Sequence, residues 1–141
     1  MSAINVQFSV AMHVMAVLAD KYGEEVTTSI LADSVKAHDS FVRRVVAKLS
    51  KGGLVVAARG KNGFCTLARR PNQISLLDIY KVSEAPTPFA IHAYPEERQC
   101  RISRNIKPCM TQILEDSQRA LERSLKRRLL SDLVDEIRAA A

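Results

Sequence analysis

The stretch DSFVRRVVAKLSKGGLVVAARGKNGFCTLARRP, residues 39–71, decides how this chain folds. On a helical wheel, Val42, Val45, Val46 and Leu49 cluster within about 100° of one another, while Ser40, Arg43, Arg44, Ala47 and Lys51 fall on the other side. One face of this helix is core and the opposite face is cationic. Asp39 or Ser40 is the expected N-cap, and the Gly52-Gly53 pair closes the helix near Lys51. Beyond it, LVVAARG and FCTLARR read as two short strands joined around GKNG, a β-hairpin with a basic tip, and Pro71 ends the unit.

Working outward, Phe8, Val10, Ala11, Val14, Met15 and Leu18 recur at helical spacing over residues 7–22, with Gly23 as the stop. Thr27 is a good N-cap for a short second helix marked by Ile30, Leu31 and Val35, followed by a tight turn around His38. On the other side, Ser75 and Asp78 have capping-box spacing and open a fourth helix of about two turns, SLLDIYKV. Residues 84–98 hold three of the five prolines and read as an extended crossover. From about Pro108 the pattern becomes helical again, Ile113, Leu114, Ser117, Leu121, Leu125, Leu129 and Leu133 keeping alternate three and four spacing over about 25 residues.

This order predicts a mainly α fold with a small β-hairpin. The expected division is a winged helix-turn-helix domain over 1–83, a linker over 84–108, and a dimerisation helix and tail over 109–141. The chain has 141 residues, enough to bury a core without staples. It lacks an apolar run of membrane-spanning length, and its first residues lack the pattern of a signal peptide. With three cysteines, an odd and low number, reduced thiols and a cytoplasmic location are expected.

Charge separates the function classes. Nine basic residues and one acidic residue, Asp39, lie between Lys36 and Arg70, whereas the whole chain carries +6, so the remainder is close to neutral. A cationic quarter of this kind points to a polyanion, here double-stranded DNA. Arg43 and Arg44 can fork onto guanine edges or phosphates. Ser40, Thr28 and Ser29, at helix starts, can give hydroxyl or backbone N–H groups to phosphate. Arg59, Lys61 and Asn62 belong to the wing tip, between Gly60 and Gly63. One head contacts few base pairs, so a homodimer on a palindromic operator is expected, held by the last helix unless that helix folds back on its own core. No Ser-His-Asp order, phosphate loop or metal-binding histidine pair is present, and an enzyme is not expected.

Residues 27–84 also carry motifs of a known family: T-x-x-x-L-A in the second helix, L-x-x-x-G-L-V at the end of the third, R-G-x-x-G at the wing and I-x-L-x-D-I at the fourth. The chain thereby resembles the Rrf2 family of winged helix-turn-helix transcription regulators (IscR/NsrR-like). The resemblance implies a homodimeric repressor with a long C-terminal dimerisation helix. It carries DNA contact onto Thr28, Ser29, Ser40, Arg43, Arg44, Arg59 and Lys61. The iron-sulfur members place three cysteines in a short loop before the long helix, whereas this chain has only Cys100 and Cys109 there and is similar to the cluster-lacking, YwnA-like branch.

A cluster needs four ligands, and Cys100, Cys109 and either His92 or Glu97 supply at most three, with Cys65 remote on the wing. No metal or other cofactor is therefore expected, an iron-sulfur sensor being the alternative reading. Cys100, flanked by Arg98 and Arg101, and Cys109, at the expected first turn of the long helix, are the candidates for a redox switch. The competing reading of each is a small apolar residue that simply packs, which is the favoured reading for Cys65.

Overall fold

The computed structural model describes residues 6–58 and 63–140. Helices α1 (Gln7–Asp20), α2 (Thr28–Val35) and α3 (Asp39–Lys51) pack together, and α4 (Leu76–Val82) packs against α1 and α3. Their apolar stripes meet in one core. Val14 and Met15 of α1, Leu31 of α2, Val42 and Leu49 of α3, and Ile79 of α4 are all fully buried. The four-residue cluster read on α3 is its buried face.

The hairpin exists and is joined by a strand too short to show alternation. Strands β1 (Val26–Thr27), β2 (Val55–Ala57) and β3 (Phe64–Leu67) form an antiparallel sheet in the order β1-β3-β2, with Val26 opposite Cys65 and Val55 opposite Leu67. The bond from Ala58 N to Phe64 O, 2.9 Å, carries the ladder toward the tip. Arg59, Lys61 and Asn62 lie outside the described residues. The head is a winged helix-turn-helix.

Local chemistry sets the ends of the helices. Thr27 Oγ1 accepts from Ile30 N at 3.2 Å and caps α2, as its position predicts. Lys36, in the left-handed region (φ 59°), turns the chain toward α3. The Ser75–Asp78 capping box is present in both directions, at 3.0 and 2.9 Å. The cap of α3 differs from expectation: neither Asp39 nor Ser40 serves, and His38 Nδ1 accepts from Ser40 N at 3.3 Å.

The second half of the chain departs further from the sequence reading. The long helix begins at Arg101, not near Pro108, and α5 runs Arg101–Lys126 with Pro108 inside it. Pro108 lacks the donor that would reach the Arg104 carbonyl and crowds that carbonyl with its ring, yet the helix starts a turn and a half or more before it, where other bonds fix its first residues. Cys100 Sγ accepts from Ser103 N at 3.4 Å, Ser103 Oγ accepts from Glu97 N at 3.0 Å, and Tyr94 Oη donates to Ser103 O at 2.9 Å. Cys109 is thus nine residues into the helix rather than in its first turn.

The apolar run also breaks at residues 127–129. Leu76 N donates to Arg128 O at 2.9 Å and Leu130 N donates to Ile74 O at 2.8 Å, a short antiparallel pairing that turns the chain back. Helix α6 (Leu130–Ala139) then packs on α1, burying Leu130 and Val134 in the head's core. Arg138 clasps Asp20 through Oδ1 at 2.9 Å and its carbonyl at 3.1 Å. The expected tail of the long helix is part of the head. No helix among the described residues is long and apolar enough to cross a membrane.

Candidate nucleic-acid interface

Seating Val42, Val45, Val46 and Leu49 in the core turns Arg43, Arg44, Ala47 and Lys51 outward, and all four are exposed. The Arg44 guanidinium carbon lies 5.7 Å from the centre of the Phe41 ring, a cation–π contact that holds the side chain without neutralising it. Neither Arg43 nor Arg44 has an acidic partner among the described residues, whereas Lys48 sits 3.6 Å from Glu84. The two arginines are therefore available to an external anion in a way that Lys48 is not.

The N-termini of α2 and α3 frame this face. Thr28 is half-buried and Ser29 exposed, both in the first turn of α2. Ser40 is exposed, but its Oγ pairs with His38 Nδ1 at 2.9 Å and its N–H points to the same nitrogen. Ser40 reaches a phosphate only by releasing His38. Sequence reasoning missed this role, since histidine is not among the preferred caps. The turn placement of His38 was the only signal.

The cysteines do not converge. Cys65 is buried in β3, and burial pushes its thiol above the usual range. Cys100 and Cys109 are exposed. Nine residues of helix separate them by about 13 Å, twice the Cα–Cα span a disulfide allows, so they cannot bridge within one intact chain. The described residues contain no group of three or more His, Cys, Asp or Glu side chains placed to hold a metal ion.

A family model described as Rrf2, iron-dependent transcriptional regulator, matches residues 4–136. YwnA of Bacillus subtilis (strain 168), named as an HTH-type transcriptional regulator, is 30% identical over 135 residues, 95% of this chain and 98% of YwnA. Among solved structures, a transcriptional regulator from Lactobacillus plantarum aligns with a TM-score of 0.82 at 24% identity, covering 96% of this chain and 91% of its own. CymR, the global cysteine regulator of B. subtilis, aligns with a TM-score of 0.68 at 23% identity, covering 96% and 98%. At those identities the two structures speak for the fold. Cys100 and Cys109 stand about 13 Å apart along the helix, too far for one cluster to take both thiols from a single chain. A model match over nearly the whole chain and a full-length relative both place it: the chain belongs to the Rrf2 family of transcriptional regulators.

Proposed function

We propose that the chain acts in the cytoplasm as a homodimeric repressor on a palindromic operator. Helix α3 enters the major groove, and the wing tip reaches neighbouring backbone. Arg43 and Arg44 read bases or phosphates, Thr28, Ser29 and Ser40 hold phosphates, and Arg59, Lys61 and Asn62 act from the wing. The observation that carries this reading is the exposed, unpaired Arg43 and Arg44 on the face of α3 opposite its core.

Dimerisation is supported by α5, which buries none of its residues. Ile102, Ile106, Cys109 and Ile113 follow one another at spacings of four, three and four, with Ile102 69% and Ile113 60% exposed. That is a coiled-coil seam left largely uncovered by the described residues, and a second copy would cover it. Cys109 then lies within the seam, leaving Cys100 as the accessible thiol. Hydrogen peroxide would transfer one oxygen to the Cys100 thiolate, giving a sulfenic acid and releasing its other oxygen as water, which changes the sulfur that caps α5 and with it the setting of the heads.

Mobility shift on a palindromic operator tests the reading. Affinity should fall with salt at a log–log slope of about −0.9 per phosphate neutralised. Replacing Arg43 and Arg44 by alanine in both subunits should remove up to about 3.6 units of that slope if all four side chains meet phosphate. A flat salt response, or unchanged affinity in the double variant, would refute DNA binding through α3. Alkylation of Cys100 before and after peroxide, with operator affinity measured alongside, tests the switch. Oxidation at Cys100 without any change in affinity would remove it.

A further inference from the structure

A groove of about 470 Å³ runs between the 87–91 segment and α5. Pro88, Phe89, Ile91, Leu114 and Leu121 form its walls, and Phe89 is left 67% exposed beside it. This volume suits a small organic ligand. On the α5 wheel the groove-lining positions between 111 and 121 centre roughly 130° from the Ile102–Ile113 seam, so the middle of the groove lies off the face along which two copies would pair.

The polar lining has one consistent chemistry. Thr87 Oγ1 donates to Phe89 O at 3.3 Å, Thr111 Oγ1 to Lys107 O at 2.8 Å, and Ser117 Oγ to Ile113 O at 3.0 Å. Each hydroxyl proton is thereby engaged, and what remains toward the groove is lone pairs. Gln118 Nε2 donates to Tyr80 Oη at 3.0 Å and to Glu122 Oε2 at 3.3 Å, leaving its amide oxygen as the free end. Glu115, the single charged residue of the lining, is a carboxylate and accepts only. In a chain of net charge +6 the described side chains of this site present acceptors, one negative charge and an aromatic ring.

We propose that the groove binds an apolar ammonium: a small molecule with a hydrophobic body and a cationic group rich in N–H donors. The body packs on Leu114, Leu121 and Ile91. The ammonium sits between the Glu115 carboxylate and the Phe89 face, with the Gln118 oxygen and the hydroxyls accepting its protons. The same Gln118 holds Tyr80 of α4, whose ring meets Phe8 of α1 edge-on at 5.2 Å, so occupancy is felt in the head. The effect on DNA rests on the DNA-binding reading; the binding site does not.

The test is a fluorescence titration of the full chain with dansylcadaverine, a hydrophobic primary ammonium, against dansylamide, which lacks that group, and the anion anilinonaphthalene sulfonate. Saturable binding of dansylcadaverine alone is expected, weakened about tenfold in Glu115→Gln, an exposed position whose change leaves the fold intact. Equal binding of either control, or an unchanged Glu115→Gln variant, would overturn the proposal. So would loss of binding as rising protomer concentration drives association, which would make the groove a contact between copies. Operator affinity measured in the same samples separates the readings: probe binding by a protein that binds no DNA keeps the site and removes the proposed function.

Discussion

Leu130→Ala puts the unexpected end of the chain to a quantitative test. Leu130 opens α6 beyond the long helix, yet it is 0% exposed among residues of the head. Truncating a fully buried leucine removes its transfer free energy and leaves a cavity, together about 3–4 kcal/mol. That is a large part of the roughly 5–15 kcal/mol that stabilises a domain. For 141 residues at about 2.1 cal/mol/K each, the entropy of unfolding is about 0.3 kcal/mol/K, and the loss converts to a fall in Tm of about 10 °C. Circular dichroism melts at two protomer concentrations separate this from dimer dissociation, which makes Tm concentration-dependent. Ile113→Ala, on the exposed seam of α5, is the control and should alter only the concentration dependence. A fall of less than about 3 °C for Leu130→Ala would refute the assignment of α6 to the head's core.

Other consequences are equally direct. A Cβ added at Gly52 would lie 2.5 Å from both methyls of Val82, a stiff β-branched neighbour, so Gly52→Ala should cost about 1–3 kcal/mol in urea titration and Val82→Ala should recover part of it. Burial raises the Cys65 thiol, so the folded state disfavours its thiolate. Stability from this group is full below the ordinary thiol range and declines as pH rises through it, a decline that Cys65→Ala should abolish. Under mild oxidant, peptide mapping should find no disulfide joining Cys100 and Cys109 of one folded chain; such a bond would mean that the first turns of α5 unwind.

Much of the head was legible because its signals are local. The α3 wheel, the Thr27 cap and the Ser75–Asp78 box each depend on residues three or four positions apart, and each appears in the structure as read. The cap on α3 was misread because His38 competes with two better-known capping residues beside it, and only the ring's position in space gives it the Ser40 N–H. Strand β1 was missed because two residues show no alternation; it exists because β3 offers Val26 and Thr27 an open edge.

By itself, the sequence determined a winged helix-turn-helix head, a cationic recognition face and a long amphipathic segment with an apolar face in need of cover. Periodicity reports that such a face exists, but not what covers it. Tertiary structure decided that Leu130 and Val134 turn back into the head while Ile102 and Ile113 stay exposed. The physical reason is the pair of backbone bonds between residues 74–76 and 128–130, a long-range pairing that ends α5 where neither glycine nor proline marks a stop.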